Sequence, residues 1–390
     1  MGLTALKYPF PFKAWLAMAN DPDNTTIQNW EELHSFIWEE LGLPFGDSLF
    51  VRSYNQNLPD QVNLVDHPHI AKAHTHDIIH TWGDYMHGRK RGFDREDAIE
   101  AATLLKEHGI SPKVWIDHAS FAGNFIHGTR KGAMPKLTDS SGYDYDNFVY
   151  SLDVAHELGI RYVWNGTVTS VIGQDRELDF MAHKALSGGS AVKAVAKTVL
   201  NHLPVMPARF SESSDNRQYV ARTFEDGRKM YCFPRYGTWK DADIDGLHSL
   251  IDPARIDELL SFGGTAIVYS HLGKRQSDKG GRSSHIPETT KNDLRNIRAE
   301  FDAGHSMVSS VSDMLDYLVL RDHLKIVGQT IDLLSDGIRY EKLKISDLAG
   351  KHFSFSSNGV NLEKIKVCVD GVEVNFELRK ENAKVFSIVF

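Results

Sequence analysis

Four short apolar runs, each breaking off in acidic or histidine residues, most constrain what this chain can fold into. Ala14-Trp-Leu-Ala-Met-Ala19 ends at Asn20-Asp21-Pro22-Asp23-Asn24, and Asp77-Ile-Ile runs into His80-Thr81-Trp82-Gly83-Asp84. Lys113-Val-Trp-Ile leads to Asp117-His118, and Thr265-Ala-Ile-Val-Tyr-Ser270 delivers His271. Continuous apolar runs of this length read as strands buried on both faces, which is the habit of a parallel sheet.

The stretches between them carry helical periodicity and glycine stops. A helix is predicted over 27–41, with Trp30, Leu33, Phe36, Ile37 and Leu41 on one face and Gly42 after it. Others are predicted over 95–108 behind an Asp94 cap, and over 145–158, 253–260, 289–303 and 311–323. Further strands are expected at 48–53 and 161–164. Tyr219 to Phe224 and Lys229 to Phe233, around Asp226-Gly227, read as a hairpin inserted on the main unit. Alternating strands and helices give the fold class: α/β, a distorted (β/α) barrel of about seven strands. After about residue 325, short β-prone runs broken by Asn358-Gly359 and Asp370-Gly371 predict a small β-rich domain. The expected division is therefore 1–324 and 325–390.

Composition excludes several classes. A net charge of −8 argues against nucleic acid as partner, because such a surface must be basic to displace counterions. The two cysteines, Cys232 and Cys368, lack metal spacing and exclude a disulfide framework, favouring a reducing compartment. No run approaches the roughly 18–20 apolar residues of a membrane span. Ala17-Met18-Ala19 resembles a signal cleavage site, but Pro9, Pro11 and Lys13 interrupt the apolar core that a signal needs, so a cytoplasmic protein is expected.

In a β/α barrel the working groups stand at the carboxyl ends of the strands. Here those ends supply Asp21, Asp23, His80, Asp84 and His271, and histidines crowd between His67 and His127. A mixed Asp/His set suits a divalent metal, zinc first, with a position open for water. The metal lowers the water's pKa, a carboxylate takes its proton, and a second histidine can protonate a leaving amine. Those are the parts needed to hydrolyse an amide.

These residues resemble the polysaccharide deacetylases (NodB-like carbohydrate esterases), over roughly residues 12–320. Asp21 and Asp23 match the family's acidic pair after the first strand, although Pro22 separates them and leaves their division of roles open. His80-Thr81-Trp82-Gly83-Asp84 matches the H-[ST]-x-x-H motif with Asp in the last place, and His87 is the alternative ligand. Ile267-Val-Tyr-Ser-His271-Leu272 matches the late strand that ends in a histidine. The family's arginine-containing middle motif is not found, and Lys113 to His118 stands in its place. His-Thr-Trp-Gly-Asp and Trp-Ile-Asp-His look most like a divergent branch associated with bacterial surface-polysaccharide loci.

The resemblance implies a metal-dependent hydrolase of an acetylated amino sugar or polysaccharide precursor. Asp23, His80 and Asp84 would hold the metal, with Asp21 the general base and His271 the general acid. Asp117, His118, Asn124 and Trp82 would meet the substrate. Other readings stay open. Asp21-Pro-Asp-Asn24 is also a plain turn and helix cap, and Trp82, Tyr85, Trp115 and Trp164 are core packing by default. A glycoside hydrolase using Asp21 and Asp117 would need no metal, and a degenerate barrel would only bind a saccharide.

Overall fold

The computed structural model describes residues 2–73, 75–84, 94–116, 151–169, 171–175, 216–223, 227–238, 241–275, 286–334 and 348–390. Its centre is a curled sheet of eight parallel strands that forms a half-barrel. In chain order these are β1 (Ala14–Asn20), β2 (Asp47–Leu49), β3 (His76–His80), β4 (Val114–Ile116), β5 (Tyr162–Thr169), β6 (Lys229–Tyr236), β7 (Thr265–Ser270) and β8 (Ser306–Ser309). They lie side by side as β8-β1-β7-β6-β5-β4-β3-β2.

Six helices described here bear out the predicted periodicity: α1 (Ile27–Leu33), α2 (Arg95–Glu107), α3 (Leu152–Leu158), α4 (Pro253–Phe262), α5 (Glu288–Asp302) and α6 (Val311–Asp322). Thr26 caps α1 by accepting the Asn29 N–H at 3.1 Å, and Asp94 closes a capping box with Asp97 on α2. Past α1 the helix loosens to a π-helix over His34–Glu40, so the predicted length holds while the winding does not.

Several strands depart from expectation: the one expected over 48–53 splits into β2 and Arg52–Ser53, which lie in different sheets. The second arm of the expected hairpin is β6, which pairs antiparallel with Val220–Thr223 and parallel with both β5 and β7. It is therefore an inner strand of the main sheet rather than part of an insertion. Its register on β5 shifts between Phe233 and Arg235, where Pro234 has no N–H to offer the ladder. β8 was not predicted, because four residues of mixed polarity carry too little pattern.

Strand alternation divides the core. Ala17, Ala19, Ile78, Val114, Ile116, Trp164, Phe233 and Ile267 belong to one apolar cluster with α6. Leu16, Met18, Ile79, Trp115, Val163 and Val268 face the other way, under α1 to α5. Each such aliphatic or aromatic side chain contributes about 1.5–3 kcal/mol when fully buried.

β8 and β2 are the two edges of the sheet, and polar groups tie β2 to the carboxyl end of β1. Asn20 Nδ2 donates to Asp47 Oδ1 at 2.8 Å, and Ser48 Oγ donates to the Asn20 carbonyl. Asp47 also accepts from Trp30 Nε1 at 3.0 Å and lies 2.9 Å from His34 Nε2.

The segment after 325 forms two four-stranded sheets. Leu324–Val327, Thr330–Leu333, Lys366–Val369 and Val372–Glu373 make one. The other takes in a strand from the opposite end of the chain: Gly2–Ala5 pairs antiparallel with His352–Asn358, followed by Val385–Val389 and Glu377–Lys380. Phe353, Phe355 and Phe386 join the same apolar cluster as Trp15 and Met314, so the core is continuous across this junction. Among the described residues no helix is long and apolar enough to cross a membrane.

Asp77, at the foot of β3, gives a pH prediction. Its Oδ2 accepts the Ser312 N–H at 2.9 Å at the start of α6, and a Cβ on Gly46 would stand 1.7 Å from its Oδ1. Burial pushes its pKa up to about 7, against the Ser312 hydrogen bonds that lower it. The folded pKa is above the unfolded value, so stability falls as pH rises from about 4 to about 7. Asp77→Asn keeps the acceptor without the charge. It should stabilise the protein at pH 8, by at most ~4 kcal/mol, and change little at pH 3. Urea midpoints that shift equally at both values would defeat the assignment.

Candidate metal centre

The inner face of the sheet turns polar at its carboxyl end. Asp21 continues the Ala17, Ala19 row, His80 follows Ile78, and Tyr269 and His271 follow Ile267, each two residues apart. Arg235 follows Phe233 beyond the register shift. The parallel register sets Asn20 opposite Ser270, and the Asp21 N–H donates to the Ser270 carbonyl at 2.8 Å, which brings the two strand ends level.

Asp21 is the hub and is fully buried. His80 Nε2 lies 3.1 Å from its Oδ1. His271 Nε2 lies 3.4 Å from its Oδ2, and the Tyr269 hydroxyl donates to the same oxygen at 3.4 Å. The Asp23 N–H donates to Oδ1 at 3.1 Å, closing an Asx turn that holds the loop. Asp21, Asp23 and His271 each offer a ligand atom within 4.8 Å of the others, which makes them a possible metal-binding triad.

The donor chemistry fits a cation. His271 Nδ1 lies 2.9 Å from Asp243 Oδ1, which would keep the Nδ1–H when an ion displaces the proton on Nε2. A carboxylate behind the imidazole is the usual support of a metal-bound histidine. Two carboxylates and an imidazole are donors zinc accepts, although they do not single it out.

No family model, curated protein or solved structure matches this chain.

The electrostatics follow from that geometry. Burial works against a charged His271, but Asp21 and Asp243 outweigh it and lift its pKa to about 9. His80 is likewise opposed by burial and raised by Asp21. Burial alone would raise the Asp243 carboxyl, but His271 and then Lys274 hold it below its ordinary range. Arg235 is fully buried between two rings, its guanidinium carbon 3.2 Å from the Trp164 centroid and 3.7 Å from that of Tyr269. Burial pushes it down to about 10, so it stays charged at neutral pH. Tyr269, Asp21 and Asp23 oppose that downward shift.

Local backbone features aim these groups. Thr81 turns into left-handed conformation at φ 50° directly after His80, an uncommon state for a β-branched residue. Leu272 N–H donates to Asn20 Oδ1 at 3.0 Å, drawing the loop after β7 onto the loop after β1. A Cβ on Gly273 would stand 2.2 Å from Thr25 Oγ1, so that approach requires glycine.

Among the residues singled out from the sequence, Asp21, Asp23, His80 and His271 converge. The triad takes in the residues assigned as base and acid, while His80 joins through Asp21. Asp84 is buried and pairs with Ser53 in a two-stranded sheet, Arg52–Ser53 with Gly83–Asp84, and is not part of the triad. Trp82 is a correction: it is fully buried on the helix-covered side, edge-on to Trp115 at 4.9 Å, with Nε1 donating to Ser151. It offers no surface to a saccharide. His87, Asp117, His118 and Asn124 lie outside the described residues. Asp243, Arg235 and Tyr269 were missed. Arg235 was hidden by reading its strand as an insertion, and Asp243 sits in an irregular stretch with no apolar run before it.

Proposed function

We propose that this chain is a metal-dependent hydrolase of the deacetylase type, acting on an N-acylated amino sugar. One observation carries the reading: the line Asp243–His271–Asp21 at the mouth of a curled parallel sheet, with Asp23 within ligand reach. The motif order that resembles the polysaccharide deacetylases supports the substrate class, and the half-barrel is consistent with their distorted barrel.

Asp21, Asp23 and His271 would hold the ion, which when bound polarises an acyl carbonyl and lowers the pKa of a water. Asp243 keeps the His271 Nδ1–H fixed and so presents Nε2. His80 holds a proton at Nε2 against Asp21 Oδ1, from where it can pass to a leaving amine. Arg235 keeps a fixed positive charge beside Asp21, suited to charge that builds on a substrate oxygen. Compared with the roles implied by the resemblance, Asp21 moves from base to ligand, His271 from acid to ligand and His80 from ligand to acid, and Asp84 drops out of the set.

The test is elemental analysis paired with acetate release from a panel of N-acetylated amino sugars and their oligomers. A single divalent ion per chain is expected, with release abolished by chelation and restored by zinc. Metal-replete protein that binds such glycans without releasing acetate would replace this reading with the saccharide-binding one.

A further inference from the structure

The geometry points to Tyr269 as a fourth donor to the ion held by Asp21, Asp23 and His271. This rests on the metal-centre reading above and adds a residue to it. The Tyr269 hydroxyl is 2.9 Å from His271 Nε2 and 3.4 Å from Asp21 Oδ2, and those two atoms are 3.4 Å from each other. The three atoms thus form a nearly equilateral triangle. Donors sharing one ion at about 2.0–2.2 Å stand about 2.9–3.6 Å apart, whether the ion is octahedral or tetrahedral. Every edge of the triangle falls in that interval.

The hydroxyl faces the same imidazole nitrogen that would meet the cation. This placement is built into the strand. Tyr269 and His271 are two residues apart and share a face, with ring centroids 5.2 Å apart. The phenol ring cannot easily swing away, because Trp164 stacks beside it at 6.0 Å and Arg235 lies over it at 3.7 Å. Burial and the Asp21 charge raise the phenol and Arg235 opposes them, so without an ion the hydroxyl keeps its proton. Coordination would release the phenolic proton to solvent, as metal binding commonly does for its ligands. The resulting set is three oxygens and one nitrogen, hard enough to accept a ferric ion as well as zinc.

Two probes test this on the full chain after chelator treatment: zinc, followed by calorimetry, and ferric ion delivered as its nitrilotriacetate, followed by visible absorption. The wild type should bind zinc, and its ferric form should show a phenolate-to-iron charge-transfer band. Tyr269→Phe keeps the ring and should weaken zinc by about 10–100-fold while losing the band. Circular dichroism confirms that the variant is folded. If the wild type binds zinc and Asp21→Asn does not, yet no band forms or Tyr269→Phe retains it with unchanged zinc affinity, the Tyr269 assignment is overturned alone. If the wild type binds neither ion, the metal centre falls and Tyr269 with it.

Discussion

Asp21→Asn is expected to reduce zinc affinity by more than about 100-fold, beyond the loss typical of residues that only support a ligand. Asp21 meets His80, His271, Tyr269 and the Asp23 backbone at once. The same change should return the two imidazoles toward ordinary values. His271 should titrate well below its present value of about 9, since Asp21 is the main group raising it.

The sign of the pH effect follows. The folded pKa of His271 exceeds the unfolded value of about 6.5, so its contribution to metal-free stability is complete below pH 6.5. It is lost as pH rises through about 9. In Asp21→Asn that slope should flatten. Calorimetry with zinc and imidazole titration by NMR measure both effects, and unchanged zinc affinity would remove Asp21 from the site. Asparagine is preferable to alanine here because it refills the space beside Arg235.

Asp47→Ala should cost about 3–5 kcal/mol of stability, since each buried donor left without an acceptor costs about 1–3 kcal/mol. It would strand the Trp30 indole N–H, the Asn20 amide and the Ser48 N–H, all of which donate to this carboxylate. His34, whose ring centroid is 3.8 Å from that of Trp30, would lose the carboxylate 2.9 Å from its Nε2. Although burial raises the Asp47 pKa, His34 and then His76 hold it below the usual carboxylate value. Its stabilising effect is therefore present above about pH 4 and lost as pH falls through the folded pKa. The wild type and the variant should converge in urea stability under acid. A difference that persists at pH 2 would show that the loss is packing rather than charge.

The helices were legible because their apolar stripes and caps are local signals: Asp94 and Gly159 marked ends that the structure reproduces. Strand ends carrying Asp21, His80 and His271 were legible for the same reason, since each follows a continuous apolar run. What stayed hidden depends on pairing between distant segments. Lys229–Tyr236 has a hairpin signal toward Val220–Thr223, which masked its parallel pairing with β5 and β7. Trp82 lies two residues past His80 and was read as facing the same mouth. The left-handed turn at Thr81 breaks the strand alternation there, and Trp82 packs under the helices instead. Asp243 reaches His271 through an isolated bridge between loops, for which no sequence pattern exists.

The strand Gly2–Ala5 has its own consequence for how the molecule comes into being. Its partner, His352–Asn358, lies almost the whole chain away, so during synthesis the first strand emerges long before anything can pair with it. The entropy of closing so long a loop grows only slowly, by about 0.6 kcal/mol per doubling, and is not the obstacle. The obstacle is time: contacts of such sequence separation slow folding and leave an edge exposed meanwhile. Within the half-barrel β1 waits nearly as long, because its ladder partners are β7 and β8, and the outer sheet can form only once the residues past 350 have emerged.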